Sequence, residues 1–147
     1  MFMDIHSGSR RGLRVHDEAF PAWARREMRA RRLVCFLAEA ENGEIVGGGS
    51  VWLREVQPRR GFGGGKVPYL MSMYTSPAHR RMGVGSMVVR RAIEWSRKRG
   101  YGSLTLHASR KGRPIYEKFG WKATTEMKLE LGVRPRPVAR RPRRSGR

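Results

Sequence analysis

The most informative stretch of the sequence is a glycine-bearing turn between an apolar strand and an amphipathic helix (residues 74–86, YTSPAHRRMGVGS). Pro77 prevents the strand from continuing, because proline cannot donate the hydrogen bond that a sheet requires. Gly83 and Gly85 have no Cβ atom, so a ligand can approach the backbone closely. The free amides at the start of the helix, with the positive end of its dipole, form a site for an anion. A pyrophosphate fits this geometry, although a tight turn without a ligand has the same glycine spacing.

A tyrosine in the second half of the chain is the other candidate for chemistry. Tyr116 lies in the segment IYEKFGW (residues 115–121), which reads as a short helix and the turn that ends it. A phenol can donate a proton to a leaving group, and it can equally pack in a hydrophobic core. The residue type alone does not distinguish between these two roles.

Together the two motifs resemble the GCN5-related N-acetyltransferase (GNAT) superfamily. The cofactor loop of that family has the form Arg/Gln-x-x-Gly-x-Gly/Ala, which Arg80, Gly83 and Gly85 match. Its second motif is a short helix that holds a tyrosine and is followed by Gly-Phe, and here it stands as IYEKFGW. A helix and a strand separate the two motifs, as they do in the family. The resemblance covers residues 34–131.

The resemblance implies an acetyl-CoA-dependent N-acetyltransferase, without a metal ion, in which a primary amine attacks the acetyl group directly. The pantetheine arm is expected in a cleft between two parallel strands that splay apart. The amide of Met73 would polarise the acyl carbonyl, Thr75 would bind the arm, and Tyr116 would protonate the departing thiolate. Ser109 replaces an asparagine that is common in the family, and it can still bind the arm. The pyrophosphate is expected on consecutive backbone amides, with the Arg80 cation nearby: Arg81, Met82, Gly83, Val84, Gly85 and Ser86.

No general base stands out in the sequence. Family members often carry a glutamate on the strand before the cofactor loop, but residues 67–75 contain no acidic residue. Glu39, Glu41, Glu55 and His107 are the alternatives, and each can equally be an ordinary surface or strand residue. Proton transfer through water, or attack by an amine that is already neutral, is the remaining option.

The predicted fold is of the α/β (α+β) class, with a mixed, mostly antiparallel sheet, one parallel splayed strand pair, and helices on both faces. Hydrophobic periodicity predicts helices over residues 17–32, 83–99 and 113–119. It predicts strands over residues 34–39, 45–53, 67–75 and 103–108, and a terminal strand region over residues 121–131. The family usually begins with an additional strand and helix. Residues 1–15 show neither pattern, so they are expected to be irregular and that element to be missing.

Composition and charge predict one domain over residues 1–132 and a disordered basic tail over residues 133–147. The formal net charge of +20 attracts polyanions such as nucleic acid, an anionic membrane surface or a phosphorylated cofactor. A basic nucleic-acid-binding protein is therefore the main alternative, although no aromatic residues alternate with the arginines as stacking platforms require. A GNAT-fold protein that binds CoA without catalysis is the third interpretation.

Further expectations concern location and partners. No stretch approaches the ~20 apolar residues of a membrane span, so a cytoplasmic protein without membrane partners is expected. Cys35 lies in an apolar run, which predicts a buried side chain rather than a nucleophile. Without an N-terminal strand, residues 34–39 form an exposed sheet edge, which favours a homo-oligomer. The basic helix at 17–32 and the basic loop at 58–66 favour an anionic or neutral amine as acceptor, and the tail could bind a polyanion.

Overall fold

The computed structural model describes residues 10–58, 64–127 and 129 of the 147-residue chain. Its strands form one sheet in chain order, antiparallel between the first three strands and parallel between the last two. This confirms the predicted fold class. The helices and strands are α1 (Arg10–Arg29), β1 (Leu33–Glu39), β2 (Ile45–Val56), β3 (Gly65–Thr75), α2 (Val84–Lys98), β4 (Thr105–Leu106) and α3 (Arg113–Lys118).

Helix α1 begins earlier than predicted. The prediction of irregular structure over residues 1–15 is wrong for residues 10–15, which are helical, while residues 1–9 lie outside the described residues. Arginine and leucine are good helix formers, and in this stretch they outweigh the single Gly12. Pro21 consequently lies inside the helix rather than in its first turn.

A buried carboxylate fixes the C-terminal end of α1 to one face of the sheet. Glu27 is 5% exposed. It accepts hydrogen bonds from Arg32 at 2.8 and 2.9 Å and from the indole of Trp52, on β2, at 3.3 Å. The hydrogen bonds from the Arg32 guanidinium lower the pKa of Glu27 to about 2. The helix ends before Arg31, which takes a left-handed conformation with φ of 55°.

Helix α2 packs on the opposite face, at a distance that only glycines in β2 allow. A Cβ atom at Gly47 would lie 2.6 Å from Cγ1 of Val84 and 2.9 Å from the carbonyl oxygen of Tyr74. A Cβ atom at Gly49 would collide with the side chain of Met73. The glycines therefore set the separation between helix and sheet, and they bring the first turn of α2 beside the end of β3. The buried core on this face contains Val51, Leu70, Val89, Ala92 and Tyr116.

The predicted strand region at the C-terminal end is wrong where the structure describes it. Residues 121–127 form no strand, and β4 contains two residues rather than the six of residues 103–108. A terminal strand would have to pair with β4, whose edge is too short to hold one. The apolar signal comes instead from Trp121, whose indole donates to the carbonyl oxygen of Leu104 at 3.0 Å.

Cys35 is exposed, which contradicts the prediction of a buried side chain. It alternates along β1 with Phe36 and Ala38, which pack against the α2 side, so it points to the other face. Within the described residues β1 is an edge strand, and that face is incompletely covered there, as the 69% exposure of Leu37 shows. Partial desolvation still raises the pKa of the Cys35 thiol, which disfavours the thiolate that a nucleophile needs.

Several expectations stay predictions. The expected homo-oligomer would form through an exposed sheet edge, and β1 occupies such a position, but the oligomer itself stays a prediction. The predicted tail at residues 133–147, and residues 59–63 of the predicted loop, lie outside the described residues. In the part of the chain that is described, none of the helices combines the length and apolar character needed to cross a membrane.

The substitution Gly47→Ala is expected to lower the free energy of unfolding by about 1–3 kcal/mol, as extra atoms in a filled core do. The new methyl group would meet a backbone carbonyl as well as a side chain, and the carbonyl cannot rotate away. Urea denaturation measures the change. Gly102→Ala is the matched control, since a Cβ atom there meets nothing within 4 Å. Equal losses in both variants would contradict the close packing of α2.

Candidate active site

The candidate site lies where the parallel strands β3 and β4 separate. The two strands pair at only two positions, Tyr69 with Thr105 and Leu70 with Leu106. Strand β3 continues to Thr75, so its last five residues have no partner on the β4 side. The sheet therefore opens at this point, as expected for the splayed strand pair.

A β-bulge in β3 coincides with this opening. The register against β2 shifts between Gly48 and Ser50, and Ser72 takes a left-handed conformation with φ of 53°. Residues three apart on a regular strand point to opposite faces. Here Leu70 and Met73 both pack against the α2 core, so the bulge turns Met73 back to the face that carries α2.

The turn before α2 is held by backbone contacts and leaves its amides without acceptors. The amide of Ser76 donates to the carbonyl oxygen of Val46 at 2.8 Å, and Nε of Arg80 donates to the carbonyl oxygen of Thr75 at 3.4 Å. Gly83 caps α2 with φ of 87°, and no side chain among the described residues caps the helix. In this part of the chain the amides of residues 81–86 donate no hydrogen bond. They form a cluster of donors without an acidic residue in the first helical turn, exposed at residues 81–83 and partly covered at residues 84–86.

Gly85 joins this turn to the end of β3 and to α3. A Cβ atom at Gly85 would lie 3.4 Å from Cδ1 of Ile115 and 3.9 Å from Oγ1 of Thr75. The amide cluster therefore adjoins Ile115, which directly precedes Tyr116 in α3. The end of β3, the start of α2 and the more distant α3 meet at this glycine.

Tyr116 is buried in the core, with 9% of its surface exposed. Burial raises the pKa of its phenol. Among the described residues its hydroxyl has no hydrogen-bond partner, and its oxygen is not fully buried, so it reaches the edge of the core. Trp121 packs edge-on against the ring at 5.9 Å between centroids.

Ser109 and Gly112 border the hydroxyl of Tyr116. A Cβ atom at Gly112 would lie 3.2 Å from Oγ of Ser109, 3.3 Å from Cε2 of Tyr116 and 3.7 Å from its hydroxyl oxygen. Ser109 also begins the turn into α3, because its hydroxyl oxygen accepts from the amide of Gly112 at 3.1 Å. The hydroxyl proton of Ser109 remains available for a further hydrogen bond.

The structure separates the four candidates for a general base. Glu39 and Glu41 lie at the hairpin between β1 and β2, with β2 and β3 between them and the opening. Glu55 is exposed and pairs across the ladder with Lys66, at the other end of β3. His107 directly follows β4, and it is the one of the four at the point where the strands separate.

Comparison with known families settles which group of proteins this is. The model of the acetyltransferase (GNAT) family matches residues 2–121. The chain belongs to this family. GNAT acetyltransferases use acetyl-CoA as the acyl donor.

Individual relatives agree with this membership. The chain is similar to a glucosamine 6-phosphate N-acetyltransferase of Trypanosoma brucei brucei, with 33% identity over 90 residues that make up 60% of this chain and 59% of the relative. It therefore spans about three fifths of the length of that curated relative. A GCN5-related N-acetyltransferase from Ralstonia eutropha JMP134 aligns with a TM-score of 0.76 and 26% identity, over 86% of this chain and 83% of that one. A predicted acetyltransferase from Clostridium acetobutylicum with acetyl-CoA aligns with a TM-score of 0.71 and 27% identity, over 78% and 75% of the two chains.

Two features of this GNAT chain escaped the sequence analysis. One is the role of Gly47 and Gly49 in seating α2; the run GGGS in the middle of an otherwise apolar strand was the signal. The other is the bulge at Ser72, which no glycine or proline marks in the sequence.

Proposed function

We propose that the protein transfers an acetyl group from acetyl-CoA to an amine. The observation that carries the proposal is the contact among β3, α2 and α3 at Gly85. It brings a cluster of amide donors and a buried phenol to one opening in the sheet. Neither feature alone identifies the reaction, but their combination matches what thioester chemistry needs: a site for a phosphorylated carrier and a proton donor for a departing sulfur.

The residues of the turn fit a pyrophosphate group. The amides of residues 81–86 point to no acceptor within the described chain, and the helix dipole adds positive potential there. Arg80 and Arg81 are exposed cations in the same turn. Gly83 and Gly85 leave the backbone open to a ligand, so the anion can be bound by main-chain donors.

The unpaired part of β3 fits the pantetheine arm and the acetyl group. Its backbone groups are open on the β4 side, so an extended amide chain can pair with them as an added strand does. In the proposed arrangement Thr75 binds the arm and the amide of Met73 donates to the acyl oxygen. A donor at that oxygen stabilises the negative charge that develops as an amine attacks. Bound acetyl-CoA supplies an activated acetyl group and a thiolate leaving group.

Tyr116 is the proposed proton donor for the thiolate. Because burial raises the pKa of the phenol, it stays protonated at neutral pH and can donate to the sulfur as negative charge develops there. The proposed position of Ser109 beside the phenol lets its hydroxyl bind the arm near the sulfur. The proton that Tyr116 loses returns from solvent after each turnover.

The proposed acceptor is an amine that also carries a phosphate group. The relative from Trypanosoma brucei brucei is named for glucosamine 6-phosphate. The formal net charge of +20 favours such an anionic amine over a polyamine, because like charges repel. The assignment is supported by the relative and by charge rather than by a phosphate site in the described residues.

Acetyl-CoA is expected to stabilise the protein by about 2.7 kcal/mol at one hundred times its dissociation constant. Gly85→Asp should abolish this effect, since it puts a negative charge beside the pyrophosphate position. Gly85→Ala is the control, because its methyl group would make only ordinary contacts with Ile115 and Thr75 and the loop pattern of the family allows alanine at this position. Thermal denaturation with and without ligand compares the three proteins. A full shift in a folded Gly85→Asp variant would show that the donor site is misplaced.

Tyr116→Phe should lower turnover by about 10²–10⁴-fold, the usual value of a general acid. The ring and its packing remain, so stability and the affinity for acetyl-CoA should change little. Steady-state release of free thiol measures turnover. Tyr101→Phe is the control, because Tyr101 stacks on Trp95 away from the site. Normal turnover of Tyr116→Phe, with chemistry limiting, would reduce the phenol to a packing residue and leave only CoA binding.

The acceptor is tested by comparing glucosamine 6-phosphate with glucosamine. If the phosphate is recognised, kcat/KM should be at least tenfold higher for the phosphorylated amine, and the difference should shrink as salt screens the charges. Both amines carry the same nucleophile, so the comparison isolates the phosphate. Equal values would refute recognition of the phosphate but not acetyl transfer.

A further inference from the structure

Three polar side chains form a continuous chain of contacts beside the candidate site. The hydroxyl of Tyr69 is hydrogen-bonded to Nδ1 of His107. On the other side of the imidazole, Nε2 lies 3.3 Å from Oε2 of Glu126. The three residues come from β3, from the position after β4, and from the segment after α3. Their meeting is therefore a product of the fold and not of local sequence.

Tyr69 is held in place by neighbouring side chains. The guanidinium of Arg54 lies 4.0 Å from the centre of the Tyr69 ring, and its Nη2 donates to Oγ1 of Thr105 at 3.3 Å. Thr105 is also the β4 partner of Tyr69 in the sheet. Arg54 therefore contacts the Tyr69 ring, and Glu126 contacts the His107 imidazole.

The Tyr69–His107–Glu126 group lies on the opposite face of the sheet from Tyr116. Tyr69 pairs with Trp52 across β2 and β3, and directly paired residues share a face. Trp52 contacts α1, whereas Tyr116 packs in the core with Val89 of α2. Both groups border the same opening, because His107 follows the last residue of β4 that pairs with β3.

This arrangement matches the two proton transfers of acetyl transfer to an amine. The new C–N bond forms as the C–S bond breaks, and the sulfur takes a proton from Tyr116. The attacking amine must lose a proton on the other side of the acyl group. A proton acceptor on the opposite face of the sheet from Tyr116 can take the proton of the amine. Because the sheet separates this acceptor from Tyr116, the two cannot exchange a proton directly.

We propose that Tyr69, His107 and Glu126 form a proton relay that deprotonates the amine, an inference that rests on the proposed acetyl transfer. With Glu126 ionised, Nε2 of His107 carries the ring proton and Nδ1 accepts from the Tyr69 hydroxyl. The amine proton passes to the Tyr69 oxygen, directly or through one water molecule, as the Tyr69 proton passes to Nδ1. Glu126 balances the charge on the imidazolium, which then releases its proton to solvent.

Chemical rescue tests the relay. His107→Ala should lower kcat about 10²-fold and leave the dissociation constant of acetyl-CoA within a few-fold. The side chain of His107 is 62% exposed, so imidazole from solvent can enter the gap and restore part of the rate. A purely structural histidine would give no concentration-dependent rescue. His107→Gln, which keeps a similar size, serves if the alanine variant does not fold.

The neighbours of His107 give two matched comparisons. Tyr69→Phe keeps the ring under Arg54 but removes the hydroxyl, so kcat should fall and imidazole should not restore it. Glu126→Gln should cost less, since this pair is exposed and screened by water. The controls are Tyr101→Phe and Glu94→Gln, which alter a tyrosine and an exposed ion pair away from the opening. Both should turn over normally.

The outcomes separate the relay from the proposed function. Full activity of His107→Ala or Tyr69→Phe, with chemistry limiting, overturns the relay and leaves acetyl transfer standing. Loss of activity in His107→Ala without rescue, beside unchanged Tyr69→Phe and Glu126→Gln variants, also overturns it. A wild-type protein that binds acetyl-CoA but acetylates no amine, glucosamine 6-phosphate included, refutes the proposed function and the relay together.

Discussion

The arrangement of the site depends on the contact between α2 and the backbone of β2. Two glycines, Gly47 and Gly49, let the helix lie directly on the strand, because a Cβ atom at either position would lie within 3.0 Å of a valine side chain of α2. The first turn of α2 lies beside the end of β3. The distance between α2 and the sheet therefore sets the position of this turn relative to Thr75. Gly47 and Gly49 therefore help to position the amides of residues 81–86, which follow about thirty-five residues later in the sequence.

The second determinant is the bulge in β3. The extra residue near Ser72 lies just beyond the last position at which β3 pairs with β4. With it, Met73 turns towards α2 and the edge beyond it stays unpaired. The bulge at Ser72 therefore coincides with the opening of the sheet, and the two faces of the sheet carry different side chains there. The buried phenol lies on one face, and the Tyr69–His107–Glu126 chain lies on the other.

The parts of this arrangement that sequence reasoning could predict are those with a local signature. The turn at Gly83 and Gly85 has a glycine spacing, α2 has an apolar stripe, and each main strand has a run of apolar residues, so all were predicted within a few residues. What failed was decided by partners distant in the chain. Cys35 lies in an apolar run but on an incompletely covered face, and residues 121–127 form no strand beside the two-residue β4.

The candidate site divides in the same way. Tyr116 could be proposed from the sequence because its neighbours form a motif, and the proposed role of Ser109 came with it; both roles stay predictions. His107 was one of four candidates for a general base in the sequence, whereas Tyr69 and Glu126 carry no signal in their own segments, and only the fold makes the three neighbours. The early start of α1 is a different case. Residues 10–15 show no hydrophobic periodicity, yet they are helical, because the helix propensity of several arginines outweighs that of one glycine.

The start of α2 has a consequence for the dynamics of the protein. Most helices begin at a residue whose side chain bonds the first amides, but Gly83 has no such group. Water satisfies these amides poorly compared with a fixed anion, so the first turn should fray in the free protein. An anion bound there completes the helix and is itself the missing cap. Ligand binding and the ordering of this turn are then one equilibrium, and amide hydrogen exchange at residues 84–87 would report the occupancy of the site without any measurement of turnover.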